Sequence, residues 1–222
     1  MAGATGAVGT VFVPRARARG LRVFPHVRPQ TAARHPLGQD PDARVFDLAE
    51  AAKLDAALAE VEAVVCLVGT TRARFAAGDT YEKSDYQPVI DLLNAAKKKA
   101  VPPHFVLLSS YGARRMSGYL GWKWKAEEAV RGSGLPWTIA RPSAFDSRGT
   151  ASAPSDGRMR RPPPLMEGGM RALGALPGLR GLADDLRPIS LEVLAAALVR
   201  VVIDRGPLGQ VLTGRELLPL AG

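Results

Sequence analysis

The first nine residues constrain the fold more than any other part of the chain. They read Met-Ala-Gly-Ala-Thr-Gly-Ala-Val-Gly, with glycines at positions 3, 6 and 9. In such a turn the first glycine permits a tight bend after a strand, and the second lets backbone amides approach a phosphate. The third lets the following helix pack closely on the sheet. The pattern predicts a loop that binds the pyrophosphate of a dinucleotide, formed by Gly3, Thr5, Gly6 and Gly9.

Very little chain precedes this turn. Only Met1 and Ala2 do so, whereas a dinucleotide loop normally follows a buried strand of about 5–6 residues. We therefore expect a sheet that lacks most of its first strand. Either the true start lies upstream, or the chain is a degenerate copy, or the fold tolerates an open slot that exposes backbone groups. Pro14 adds to the irregularity, because it weakens or kinks the helix predicted over residues 7–20.

Strand-like and helix-like segments alternate along the rest of the chain, which predicts an α/β fold with a doubly wound parallel sheet. The predicted strands are residues 21–27, 43–46, 64–68, 104–108, 135–142 and 209–213, and the longer helices are 49–60, 86–100, 119–133 and one ending near 204. A length of 222 residues suits one domain, 1–222. Residues 143–186 are rich in proline, glycine and arginine, and we expect a substrate or lid loop there.

The stretch after the second predicted strand bears on the choice of cofactor. An NAD-preferring fold places a carboxylate here for the ribose hydroxyls, whereas an arginine accommodates a 2′-phosphate. No acidic residue lies between Leu21 and Gln39, and Arg28 follows the strand directly. We predict NADP(H) in preference to NAD(H); the alternative is an arginine that is merely exposed after a strand.

Candidate catalytic side chains follow the strand at 104–108. Ser109 and Ser110 come first, and Tyr119 and Lys123 lie four residues apart on a predicted helix. Residues at this spacing share a helix face. A phenol beside an ammonium, with a serine hydroxyl bonding a carbonyl, suits acid–base chemistry. A tyrosine and a lysine also fall four apart by chance, but the serine pair and the glycine loop favour catalysis.

Composition excludes several other classes of function. The net charge is +9, yet the arginines are scattered and only 6% of residues are aromatic, too few for base stacking. We expect a solvated basic surface and no nucleic-acid partner. The longest apolar runs are far below the ~20 residues of a membrane span. No signal peptide is visible, and the single cysteine, Cys66, cannot form an internal disulfide, so we predict a cytoplasmic protein without membrane association or a metal site.

The order of motifs resembles the atypical short-chain dehydrogenase/reductases with NAD(P)H-binding, NmrA-like domains. The motifs are Gly-Ala-Thr-Gly-x-x-Gly, Ser-Ser-x-Gly, Tyr-x-x-x-Lys, Thr-Ile-x-Arg-Pro and Arg-Pro-Ile-Ser. Cys-Leu-Val-Gly-Thr-Thr-Arg at 66–72, Asp-Tyr at 85–86 and Leu-Leu-Ser-Ser at 107–110 are most similar to the Tat-interacting-protein-like oxidoreductases of that group. The resemblance extends over residues 3–212.

This resemblance implies a Rossmann-like sheet with NADP(H) bound across its carboxyl edge. The three glycines of the loop would hold the pyrophosphate and Arg28 the 2′-phosphate. Asp47 and Leu48 would flank the adenine, with Gly69 and Thr70 lining the same side.

The same resemblance implies roles in catalysis. Ser110 would be the catalytic serine in preference to Ser109, and Tyr119 the acid–base. Lys123 would bond the nicotinamide ribose and stabilise the phenolate. The implied function is hydride transfer to or from a small carbonyl-type substrate by a monomer or homodimer. The alternative is a non-enzymatic, NADP(H)-binding regulator or scaffold with a protein partner.

Overall fold

Strands and helices alternate throughout the computed structural model, which describes residues 1–69, 78–146 and 180–222. The helices are α1 (Ala7–Ala18), α2 (Pro29–Ala32), α3 (Ala51–Leu58), α4 (Gln87–Lys97), α5 (Tyr119–Arg131), α6 (Arg180–Leu186), α7 (Leu191–Ile203) and α8 (Gly214–Leu220). The strands are β1 (His26–Val27), β2 (Arg44–Val45), β3 (Ala63–Cys66), β4 (His104–Leu108), β5 (Trp137–Ala140), β6 (Phe145–Asp146), β7 (Ile189–Ser190) and β8 (Gln210–Leu212). The same residues also include a 3₁₀ turn, Pro36–Gln39, and a π-helical turn, Glu82–Tyr86.

The strands form parallel sheets, which confirms the predicted fold class. Four strands pair in the order β3-β4-β5-β8, and β1 pairs with β2 separately. Met1 and Ala2 lie between the two sheets. The Ala2 N–H donates to the Val65 carbonyl (2.8 Å), and the His26 N–H donates to the Met1 carbonyl (2.8 Å). Met1 and Ala2 therefore link β3 to the chain that leads into β1.

The strand predicted over 21–27 is much shorter in the structure. Only His26–Val27 pairs with a neighbouring strand, and residues 21–25 have no regular structure. A strand depends on neighbours for its hydrogen bonds, and here Met1 reaches only Phe24 and His26. Pro25, which lacks an N–H, interrupts the same stretch.

Two apolar layers cover the sheet. One face packs on α1, α7 and α8 through residues such as Val65 and Val106. The other packs on α3, α4 and α5 through residues such as Val64 and Phe105. This alternation of side chains between faces explains why β3 and β4 are continuous apolar runs.

Two local predictions concern irregular segments. Helix α1 runs from Ala7 to Ala18 with Pro14 inside it. Pro14 is exposed, so the backbone carbonyl it leaves without a donor can be hydrated. In the predicted lid region, β6 and β7 form a short parallel pair, and residues 147–179 lie outside the described residues.

Candidate functional site

A cleft of about 680 Å³ opens at the carboxyl edge of the sheet. It brings together most of the residues that the sequence nominates: Gly3, Thr5, Gly6, Gly9, Arg28, Asp47, Leu48, Gly69, Tyr119 and Lys123. Ser109 lines the cleft, whereas Ser110 does not. Thr70 lies outside the described residues. The loops after β1, β2, β3 and β4, together with the first turns of α1 and α5, form the walls.

The glycine loop is shaped by close backbone contacts. Gly3 has φ +83°, and a Cβ there would lie 2.7 Å from the Leu67 carbonyl carbon. A Cβ on Gly9 would lie 2.2 Å from the Gly3 carbonyl oxygen. Both positions therefore exclude any larger residue. Gly6 precedes α1, whose first-turn amides have no acceptor within the helix and lie beside the cleft. Such a helix terminus attracts anions.

The far end of the cleft is built from the loops after β1 and β2. Arg28 is exposed here, and Thr31 and His35 line the same wall. His26 is buried, with its Nε2 2.8 Å from the Phe46 carbonyl oxygen. Burial lowers the pKa of His26 despite this contact, so its imidazole is neutral at pH 7. Arg28, in contrast, carries a permanent positive charge on this wall.

Helix α5 places Tyr119 and Lys123 at the opposite end. Gly118, with φ +78°, turns the chain into the helix. A Cβ on Gly121 would lie 1.7 Å from the Met116 carbonyl oxygen, so this glycine lets the preceding loop fold against the first turn. The Lys123 ammonium lies 5.8 Å from the centre of the Tyr119 ring. The sequence spacing therefore does place phenol and ammonium on one face.

Lys123 belongs to a buried ion pair that the sequence did not reveal. Its Nζ lies 3.0 Å from Asp85 Oδ1, and the side chains are 4% and 0% exposed. Nζ also donates to the carbonyls of Val68 (3.2 Å) and Leu108 (3.4 Å). Burial alone would lower the pKa of Lys123, but Tyr119 and Asp85 raise it above its usual range. Lys123 is therefore a fixed cation at the floor of the cleft.

The π-helical turn Glu82–Tyr86 positions the Asp85 carboxylate. Such turns often occur at functional sites, because the extra residue redirects a side chain. Gly69 leaves room for the pair, since a Cβ there would lie 3.1 Å from Asp85 Oδ1. The Asp-Tyr motif at 85–86 was the available sequence signal for this residue.

A second buried carboxylate, Glu127, lies one turn beyond Lys123 on α5. The Ser109 hydroxyl donates to its Oε1 (2.5 Å), and Arg141 Nε donates to the same oxygen (2.7 Å). The second oxygen of Glu127 accepts from Arg141 and Arg131. The Ser109 hydroxyl is thus held in a structural network, while Ser110 is half-buried beside it.

Residues 1–69, 78–146 and 180–222 contain neither a membrane-spanning helix nor a cluster of metal-binding side chains. No helix in these ranges is both long enough and apolar enough to cross a membrane. No group of three or more His, Cys, Asp or Glu side chains among the same residues is placed to hold a metal ion.

Much of the chain is similar in sequence to known proteins. Residues 3–160 match a family model described as NAD(P)H-binding. Protein TIC 62, chloroplastic, from Oryza sativa subsp. japonica is 32% identical over 173 residues, 66% of this chain and 35% of that protein. The homologue from Pisum sativum is 32% identical over 110 residues, 45% of this chain and 20% of that protein. The chain thus spans at most about a third of these relatives.

Solved structures share the fold. The Bordetella bronchiseptica enzyme WbmF, in complex with NAD⁺, superposes with a TM-score of 0.64 at 18% identity, over 99% of this chain and 74% of that one. A short-chain dehydrogenase/reductase superfamily protein from Agrobacterium tumefaciens with bound NAD gives 0.63 at 18% identity, over 98% and 80%. The Rossmann-like architecture is therefore shared with proteins that carry a nicotinamide cofactor.

Proposed function

The chain belongs to the NAD(P)H-binding family, and from that premise we propose that it is an NADP(H)-dependent oxidoreductase acting on a small carbonyl-type substrate. One observation carries the proposal: Tyr119 and Lys123 line the same cleft as the glycine loop. A phenol and a fixed ammonium are the groups that reversible reduction of a carbonyl needs from the protein.

The cleft residues fit a dinucleotide. The loop cannot accept a Cβ at Gly3 or Gly9, and the N-terminus of α1 lies beside it, which suits a pyrophosphate. Arg28, at the far wall with Thr31, would pair with a 2′-phosphate, and Asp47 and Leu48 would flank the adenine. This arrangement favours NADP(H) over NAD(H).

Bound nicotinamide would supply or accept the hydride. The chain contributes the proton transfer: the Tyr119 hydroxyl would donate a proton to the carbonyl oxygen during reduction and take it back during oxidation. Lys123, held by Asp85 at 3.0 Å, would stabilise the phenolate and bond the nicotinamide ribose. Ser110 is our candidate for the hydroxyl that bonds the substrate, because Ser109 already donates to Glu127.

The cofactor preference is tested by titrating the protein with NADPH and NADH while nucleotide fluorescence is followed. We expect tighter NADPH binding, and a roughly tenfold or greater loss of NADPH affinity in Arg28→Ala, since hydrogen bonds to charged groups contribute about 1.5–3 kcal/mol. Arg34→Ala is the matched control, because Arg34 is exposed in the same segment and does not line the cleft. Equal losses in both variants would refute a specific role for Arg28.

The catalytic role is tested with Tyr119→Phe in a screen of aldehydes and ketones. We expect turnover to fall by about two orders of magnitude or more, with NADPH affinity unchanged. Tyr81→Phe is the control, because the Tyr81 ring lies only 5.5 Å from that of Tyr119. Turnover that survives loss of the Tyr119 hydroxyl would remove this residue from the mechanism.

A second candidate function is non-enzymatic. The Ser109 hydroxyl is bonded to Glu127, and Ser110 does not line the cleft. Because neither serine hydroxyl is then placed to bond a substrate, these two observations favour a module that binds NADP(H) and a protein partner without turnover. Cofactor binding with no activity across the carbonyl screen would support it. We propose a cytoplasmic location with either function, because the single cysteine, Cys66, is a buried core residue. Analytical sedimentation would distinguish a monomer from a homodimer.

A further inference from the structure

The far wall of the cleft contains a histidine that nothing in its sequence context marks as a binding residue. His35 lines this wall together with Arg28 and Thr31. It is half-buried and comes directly before the 3₁₀ turn Pro36–Gln39, whose backbone its side chain contacts. The imidazole ring therefore lies between the cleft on one side and the turn on the other.

One ring nitrogen of His35 is already engaged by the backbone. The Leu37 N–H donates to Nδ1 at 3.2 Å and so caps the start of the turn. A ring nitrogen that accepts a hydrogen bond carries no proton, and an imidazolium has no acceptor. The ring is therefore neutral, with its proton on Nε2. Within residues 1–69, 78–146 and 180–222 the ring makes no other hydrogen bond, so the Nε2–H group is left for a ligand in the cleft.

The turn holds this donor in a fixed position. The Gly38 N–H donates to the His35 carbonyl (2.8 Å). A Cβ on Gly38 would lie 2.0 Å from the Ala32 carbonyl oxygen, so the turn packs directly against α2. Just beyond the turn, the two carboxylate oxygens of Asp40 accept from Arg17 of α1 at 2.8 and 2.6 Å. A donor that is ordered in this way before binding loses little conformational entropy when a ligand arrives.

We propose, on the premise that the cofactor is NADP(H), that His35 is a specificity-determining residue that donates its Nε2–H to the 2′-phosphate. Such a phosphate carries about −1.5 to −2 charges at pH 7 and offers three acceptor oxygens. Arg28 supplies the positive charge of the wall, and His35 adds a neutral donor in a fixed direction. The ribose of NAD(H) has a hydroxyl in place of the phosphate, and a bond between two neutral groups is roughly half as strong. The histidine thus favours the phosphorylated nucleotide.

Two amide variants separate the roles of the two ring nitrogens. In His35→Asn the side-chain oxygen can replace Nδ1 as the acceptor of the Leu37 N–H, but no donor reaches the place of Nε2. In His35→Gln the longer side chain can bring its NH₂ group near the place of Nε2, but the cap on Leu37 is lost. If His35 only stabilised the turn, His35→Gln would be the more damaging change. If His35 bonds the phosphate, His35→Asn is the more damaging change to nucleotide selectivity.

The experiment is a calorimetric titration of the full chain with adenosine 2′,5′-bisphosphate and adenosine 5′-monophosphate, which differ only in the 2′-phosphate. We expect the ratio of the two affinities to fall about tenfold or more in His35→Asn and by less than about threefold in His35→Gln. The affinity for the monophosphate should be unchanged in both variants. A preference that persists in His35→Asn, or falls further in His35→Gln, would overturn the role of His35 alone. Wild-type protein without any preference for the bisphosphate would overturn the NADP(H) selectivity itself, and this role with it.

A second measurement needs no nucleotide. Long-range proton–nitrogen NMR correlations of the histidine rings identify which nitrogen carries the proton. The chain has three histidines, and the signals of His35 are assigned by their loss in His35→Asn. We expect the proton on Nε2 in the free protein at pH 7. A proton on Nδ1 would overturn the proposal, because the Leu37 N–H would then have no acceptor on the ring and Nε2 would have no proton to donate.

Discussion

The buried pair of Lys123 and Asp85 should be strongly coupled in stability. At 3.0 Å, opposite charges attract by about 5 kcal/mol with an effective dielectric constant of about 20. Desolvation of both groups offsets part of this attraction. We therefore expect each of Asp85→Ala and Lys123→Met to lower the free energy of unfolding by about 3–5 kcal/mol.

The two single variants differ in what they leave behind. In Asp85→Ala the Lys123 ammonium keeps the neutral carbonyls of Val68 and Leu108, at 3.2 and 3.4 Å, but loses its carboxylate. In Lys123→Met the Asp85 carboxylate loses its cation in a fully buried position. The double variant leaves neither charge, so it should be no less stable than either single variant. The coupling energy should therefore be at least about 3 kcal/mol.

Urea unfolding at pH 7 measures this double-mutant cycle, and the chain contains a matched control. Lys98 and Asp55 form a pair at 2.6 Å whose side chains are 59% and 37% exposed. Exposed pairs contribute about 0–1 kcal/mol, so this cycle should give a small coupling despite the shorter distance. Equal coupling energies in the two cycles would refute the argument that burial determines the strength of the pair.

Two further predictions concern the glycine loop and a buried histidine. Gly9→Ala should reduce stability by about 1–3 kcal/mol and weaken NADPH binding, because its Cβ would lie 2.2 Å from the Gly3 carbonyl oxygen. Gly6→Ala, at 3.3 Å from the same atom, should change the urea midpoint far less, and equal shifts would contradict the geometric reason. His104 has its pKa lowered to about 4, chiefly by burial, and its Nε2 lies 2.9 Å from Thr138 Oγ1. The unfolded chain therefore binds a proton between pH 6.5 and 4 that the folded chain resists, and stability should fall by about 2–3 kcal/mol over this window. His104→Gln should flatten that part of the stability profile, and an unchanged slope would show that other groups cause it.

Local sequence patterns were sufficient where short-range geometry decides the structure. The strand at 104–108 is β4 without change, and the helix predicted from Tyr119 begins there. Residues four apart in a helix lie on the same face, so the sequence alone predicted that Tyr119 and Lys123 share a face of α5. The close backbone contacts of the glycine loop could also be expected from the sequence, because only glycine leaves room for them, as at Gly3 and Gly9.

Long-range pairing set the limit of sequence reasoning. Asp85 meets Lys123 across 38 positions of chain, through a π-helical turn that no periodicity indicated. The strand expected at 21–27 was wrong over most of its length, because hydrogen-bonding neighbours define a strand. Strand β2 pairs only with His26–Val27, and Met1 bonds only Phe24 and His26. Nothing in the local sequence distinguishes Glu127 from an exposed glutamate on a helix, although tertiary packing buries it completely.

Helix α5 carries an unusual buried face, on which Tyr119, Lys123 and Glu127 follow one another at intervals of four. Lys123 bonds carbonyls after β3 and at the end of β4, and Glu127 bonds side chains that follow β4 and β5. Apolar residues in these positions would often stabilise a helix equally well, so stability alone does not account for the polar contacts. Their geometric effect is specific, because contacts to the ends of three adjacent strands fix the rotation of α5 about its own axis. That rotation directs the side chain of the first residue, Tyr119, into the cleft that the glycine loop lines.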